Sequence, residues 1–222
     1  ITFDEDIKPK DGKLNKDENS KDGDNANTTA KISIPADAVV GDVIKYTVNG
    51  GTEQSHPITD ADKAAGHVEV KVPVTDGQTS SVTAKIVDQA GNASKEVSGS
   101  IDVDTTAPKV DVETVTPVDT NNPADGNPEK GIVKGHSDEP NAPVVVKDKD
   151  GKIIGSGTTD DKGNFEITTD PIKPGDKVNV EVTDKAGNKG NGEGTAGDTT
   201  YVDTTAPKVE VDQVTPVEIG RA

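Results

Sequence analysis

The sequence predicts an all-β protein made of two antiparallel sandwiches in series. Three observations carry that reading. Apolar and polar residues alternate with period two in several segments, with β-branched residues at the apolar places, as half-buried strands require. Turn signals rich in Gly, Asn, Asp and Pro stand between these segments, and no stretch keeps a helical period. The heptapeptide DTTAPKV at 104–110 returns at 203–209, one small domain further on.

Composition supplies the reading these must overcome. Of 222 residues only 29% are apolar and 2% aromatic, Leu14 is the single leucine, and the net charge is −17. Such a chain lies near the region where buried surface fails to offset chain entropy, so disorder is the alternative. Patterning argues against it. In chain order, AKISI at 30–34 and HVEVKV at 67–72 give strands of a first unit around an NGG turn. KVDVETV at 109–115 and KVNVEV at 177–182 give strands of a second, around the turns DKDGK, DDKGN and KPGDK.

The copies align beyond the heptapeptide. Residues 104–119 match 203–218 with only Asp/Glu exchanges and one Thr/Gln difference, and an Asp-x-Ala-Gly-Asn phrase precedes each copy, at 88–92 and 184–188. Each unit therefore ends in that turn, a last strand and the next unit's DTTAP. The units are 1–103 and 104–202, and 203–222 begins a third, so the chain reads as a piece of a longer array. Cysteine is absent, which excludes disulfides and leaves the compartment open. An acidic surface repels nucleic acid and anionic membrane, and no apolar run is long enough for direct membrane insertion. Cations are the natural partner.

At this point the motifs carry a resemblance. DTTAP at a unit start, SDEPNAPVVVKDKDGKIIGSGTTDDKGNFEIT in the middle and PGDKVNVEVTDKAGN near the end resemble the bacterial Ig-like repeats of large, type I secreted RTX-type adhesins. The first unit is similar to a related extender repeat of those adhesins, through ITFDEDIKPKDGKLNKDE and GDVIKYTVNGG. The resemblance implies tandem Ig-like sandwiches in an elongated arrangement, an extracellular place on the bacterial cell surface, and calcium ions that stiffen the junctions.

In a seven-stranded Ig-like sandwich the N-terminus, the B–C loop and the F–G loop share one pole. That mapping gathers Asp104, Asp138, Glu139 and Asp184 at the pole facing the first unit, where like charges repel unless a cation sits among them. Calcium takes six to eight oxygens in flexible geometry, so Asn188, carbonyls and water are expected to complete the shell. Asp203 is the counterpart of Asp104 in the next copy. Pro108 fixes its own φ and biases Ala107 to extended backbone, which shortens the hinge. The alternative is that Asp104 caps a turn and Asp184 holds a tight F–G turn.

In the first unit, Asp4 or Asp6, Asp37 and Asp88 make the equivalent cluster by position. A second acidic site is expected where Asp11, Asn15 and Glu18 reach towards Asp102 and Asp104, the alternative there being a solvated acidic loop. GEGTAG at 192–197 fits a dinucleotide pattern but lacks the following helix, and reads as a flexible turn. DKDGK at 148–152 resembles the start of an EF-hand loop but lacks its twelfth-position glutamate, and reads as a hairpin turn. His56, His67 and His136 show no zinc spacing, and Ser137 no nucleophile elbow. Phe3, Tyr46, Phe165 and Tyr201 read as packing residues.

No enzyme is expected. The expected function is a monomeric, calcium-stiffened stalk partnered by neighbouring Ig-like repeats of the same chain. The alternative is a module whose own loops bind a host glycan or protein.

Overall fold

Alternation in the sequence becomes alternation of burial in the computed structural model, which describes residues 1–7, 10–121 and 124–210. The first unit comprises β1 (Thr2–Phe3), β2 (Lys13–Leu14), α1 (Lys16–Asn19), β3 (Asn27–Ser33), β4 (Val43–Val48) and β5 (Gln54–Pro57). It continues with α2 (Asp60–Ala65), β6 (His67–Pro73), β7 (Thr79–Val87) and β8 (Val97–Val103). In β6, Val68, Val70 and Val72 are buried while Glu69, Lys71 and Pro73 are exposed, as its period-two pattern requires. Two sheets result, in the orders β1-β3-β6 and β2-β8-β7-β4-β5. Phe3, Leu14, Ile32, Ile44, Val72, Val82 and Ile101 fill the space between them.

The second unit repeats this plan with β9 (Val110–Asp119), β10 (Lys130–Ser137), β11 (Pro143–Asp148), β12 (Ile153–Thr158) and β13 (Asn164–Thr169). β14 (Lys177–Thr183), β15 (Lys189–Thr195) and β16 (Thr200–Tyr201) complete it. Its sheets run β13-β10-β9-β16 and β12-β11-β14-β15. Val133, Val144, Val146, Phe165, Ile167, Val180 and Val182 form a separate core. Both units thus pair their first, second and fifth major strands on one face and the third, fourth, sixth and seventh on the other, the all-β Ig-like sandwich the pattern predicts.

Two local expectations change. The acidic stretch after β2 is no solvated loop: Leu14, Asn15, Glu18 and Asn19 are buried around α1. Asn15 caps that helix by accepting from the Glu18 N–H while Glu18 accepts from the Asn15 N–H, and Thr59 and Asp62 cap α2 in the same way. The GEGTAG segment is no turn, because its first four residues lie in β15. Glycines 190, 192 and 194 alternate on one face of that strand, and a Cβ on any of them would strike β9 or its approach: 2.0 Å from the Pro108 carbonyl oxygen, 2.9 Å from that of Val110 and 2.6 Å from a Val115 methyl. The stripe is space for a crossing strand.

DKDGK is the hairpin turn between β11 and β12, where Gly151 takes φ +80° and Asp148 Oδ1 accepts from the Asp150 and Lys152 N–H groups. Gly190→Ala should destabilise the second unit by about 2 kcal/mol or more, since the obstacle is backbone that cannot swing aside. Urea unfolding of the variant beside Gly197→Ala checks this, Gly197 having only one neighbour, at 3.9 Å.

Candidate metal centre

The linker between the units is hydrogen-bonded from both sides. Both threonines of DTTAP turn to Asp76, at the end of the first unit: Thr105 donates its N–H and hydroxyl to Oδ1 at 2.5 and 2.9 Å, and Thr106 its hydroxyl to Oδ2 at 2.6 Å. These donors hold the Asp76 carboxyl below its ordinary range, the Thr106 hydroxyl most of all. The Asp104 N–H donates to the Leu14 carbonyl at 3.0 Å.

From the other side comes the loop between β14 and β15. Asp184 Oδ1 accepts from the N–H groups of Ala186 and Asn188, and Gly187 takes φ +94°, which closes a five-residue turn. Asn188 is its last residue, buried. Its Nδ2 donates to Asp184 Oδ2 and to the Asp104 carbonyl, each at 2.8 Å, and its Oδ1 accepts from the Lys16 N–H at 2.8 Å. Asn15 reciprocates by donating Nδ2 to the Ala186 carbonyl at 3.0 Å.

These bonds gather the predicted carboxylates. Desolvation first, then the negative charge of Asp184, raise the Asp104 carboxyl above its ordinary 3.8, with the Thr106 N–H, through Asp104 Oδ1, and Lys13 opposing. Burial first, then Asp184, Asp138 and Asp104, raise Glu139 above its ordinary 4.5. Asp138 is tied down separately, Oδ1 accepting from the Lys109 N–H at 2.7 Å. Asp104, Asp138, Glu139 and Asp184 therefore do meet at one pole. Both Asp184 oxygens already accept hydrogen bonds, as the turn-stabilising alternative holds. Asn188 joins the two units through both ends of its amide, and its oxygen is taken by the first unit's backbone.

The remaining candidates go to other tasks. Asn15 and Glu18 cap α1, with Glu18 also accepting from the Ile7 N–H, while Asp11 accepts from Lys13 N–H and Asp102 from the Thr79 hydroxyl. Asp4 pairs with Lys31 at 2.8 Å, and Asp6 accepts from the Asp11 and Gly12 N–H groups. Asp37 and Asp88 line one groove of the first unit together, and neither Asp4 nor Asp6 joins them in it. Asp203 accepts from the Thr205 N–H in an exposed segment.

Among the described residues, the one acidic trio whose ligand atoms all lie within 4.8 Å of one another is Asp119, Asp125 and Glu129, which sequence reasoning missed. This cluster can hold a metal ion. Asp119 is buried and accepts from the N–H groups of Asn121, Asp125 and Gly126, while Glu129 accepts from Thr120. A signal existed in the recurrence of Asp-Gly after Asp6 and after Asp119, since Gly12 and Gly126 both take φ +77° beside that aspartate.

Residues 118–203 match the bacterial Ig domain family. No curated protein matches the chain. Among solved structures it is similar to the fibronectin(III)-like modules of Clostridium thermocellum CbhA, at 14% identity over 84% of this chain and 92% of that one, with a TM-score of 0.48. It is also similar to a Ca2+-stabilized adhesin with which an Antarctic bacterium binds ice, at 21% identity over 84% of this chain, TM-score 0.39. A 1.5-MDa bacterial ice-binding adhesin gives 22% identity over 85% of this chain, TM-score 0.38. The chain spans 46% and 60% of these two adhesin structures. Among the described residues no helix is long and apolar enough to cross a membrane.

Two outcomes follow from the bonds and charges. Asn188→Ala removes three polar contacts and strands buried partners, so it should cost about 1–3 kcal/mol, with faster hydrogen exchange at Lys16 in the other unit. Without added cation, a raised carboxyl means the fold prefers the acid form. That stability is present below the ordinary values of 3.8 and 4.5 and is lost as pH rises through the raised ones. Glu139→Gln should therefore melt higher than the parent at neutral pH in chelator, the gap closing in acid, as thermal unfolding across pH will show.

Proposed function

We propose that the chain is a spacer from a bacterial adhesin, secreted to the cell surface, in which calcium stiffens tandem Ig-like units and a distal region binds the ligand. One observation carries this reading: the Asp104–Thr106 linker is bonded from both units, while burial and then the charge of Asp184 hold the Asp104 and Glu139 carboxyls above their ordinary range beside it. A rod needs the first, and the second is a charge that a cation removes. The ligand atoms of Asp104, Glu139 and Asp184 do not all lie within 4.8 Å of one another, so these side chains would draw together to share Ca2+, whose charge would replace repulsion with attraction to one ion. The Asp119, Asp125 and Glu129 trio gives the far end of the second unit a matching acidic site. The chain acts through its length and stiffness, as a monomer, with neighbouring repeats as partners and no enzymatic step.

Small-angle X-ray scattering in excess calcium and then in chelator tests this. Two units held end to end, with flexibility appearing only on chelation, is the expected result. An unchanged profile would overturn the calcium junction, and saturable binding on a glycan array would favour a ligand-binding module instead. Calcium binds ionised carboxylates, so its half-saturating concentration should rise as pH falls through the raised values of Asp104 and Glu139. Calorimetric titration at neutral and acid pH reads that shift, and Glu139→Gln should reduce the calcium-induced gain in melting temperature.

A further inference from the structure

We infer that the peptide bond between Asp170 and Pro171 is a self-cleavage site, at which the Asp170 carboxyl displaces Pro171 from its own carbonyl carbon in mild acid. It is the only Asp–Pro bond in the sequence. A carboxyl oxygen that reaches the carbonyl carbon of its own residue closes a five-membered ring, so the nucleophile needs no encounter. The nitrogen it displaces belongs to a tertiary amide and leaves as a secondary amine.

The bond lies in the bend between β13 and β14, and the fold holds it from both sides. Upstream, the Asp170 N–H donates to the Ile154 carbonyl of β12 at 2.7 Å. Downstream, Ile172 is 4% exposed and belongs to the core of the second unit. Asp170 and Pro171 themselves are exposed, so the carboxyl meets solvent protons while its backbone stays anchored. Among the described residues the charged group paired with it is Lys152, whose Nζ lies 3.4 Å from Asp170 Oδ2, both side chains being more than half exposed. Such a pair is weak and leaves the carboxyl free to turn to its own backbone.

The contact that singles out this bond is at its carbonyl. Thr169 donates its hydroxyl to the Asp170 carbonyl oxygen at 2.8 Å. Negative charge gathers on that oxygen as the carboxyl attacks, and a donor already aimed at it stabilises the tetrahedral state. Packing keeps the donor there. Thr169 is 5% exposed, and its partner in the β10–β13 register is Gly131, where a Cβ would stand 2.5 Å from both Thr169 Oγ1 and Ile172 Cδ1. A Cβ on Gly155 would stand 2.9 Å from Thr169 Cγ2. Two glycines therefore make room for one hydroxyl.

The step needs water alone. The Asp170 carboxyl oxygen bonds to the carbonyl carbon, the bond from that carbon to the Pro171 nitrogen breaks, and the carboxyl proton passes to the nitrogen. Water then opens the cyclic anhydride and leaves Asp170 as a new C-terminus. β14 stays paired with β11 across the cut, so the nicked unit holds together.

Mass spectrometry of the chain, incubated at the lowest pH at which circular dichroism keeps the native spectrum, tests this beside a peptide of residues 164–177. Fragments 1–170 and 171–222 are expected, together one water heavier than the parent, formed about tenfold or more faster than the peptide breaks. Asp170→Ala should abolish the cut. Thr169→Val should slow it about tenfold, while Thr169→Ser, which keeps the hydroxyl, should cut at nearly the parent rate, with circular dichroism reporting the fold of each. Native sedimentation should show the cut chain as one particle. A rate no greater than the peptide's, equal cutting by a folded Thr169→Val, or breakage only at other bonds would each overturn the inference.

Discussion

One side-chain amide organises this molecule. Asn188 donates to its own loop and to the linker while accepting from the first unit, so three segments distant in sequence meet at a buried group with both of its ends in use. Asn15 returns the contact from the other side. Their partners would cost free energy if left unpaired in that buried place, so the units meet in the arrangement that satisfies them. The convergence of acidic side chains is a consequence: the bonds that fix the linker also bring Asp104 and Glu139 close to Asp184.

Attraction through neutral donors and repulsion between charges therefore share one small volume. The two effects differ in reach. Hydrogen bonds depend on angle and fail within a fraction of an ångström, whereas the Coulomb field of Asp184 extends to both neighbours and weakens only with distance and solvent. The bonds set the geometry and the charges bias it. Asp76 differs from the rest, because the threonine donors hold its carboxyl low and ionised, and its charge adds to those that raise Asp104.

Local pattern made much of this legible. The β6 alternation is a property of neighbours, and burial of Val68, Val70 and Val72 follows from it. The meeting of Asp104, Asp138, Glu139 and Asp184 was legible too, since strand alternation in a sandwich dictates which loops share a pole. What escaped depends on distant partners. The glycines of β15 looked like a turn because nothing near them shows that β9 crosses above. Asp76 lies 29 residues from Thr105, with no periodicity to tie them. The capping pair Asn15 and Glu18 was visible as a spacing, but in a charged stretch it was read as ligand chemistry.

β16 runs parallel to the end of β9, with Thr200 beside Val118 and Tyr201 beside Asp119, and the Val202 N–H extends the pairing to the Asp119 carbonyl. The chain enters the second unit at the start of β9 and leaves it past β16. Tension along the chain therefore drags these two strands in opposite directions along their own axes. Their hydrogen bonds take the load together, in shear, where an antiparallel exit would peel them one by one. The pairing is short, but its direction makes the exit of the domain its mechanical clasp.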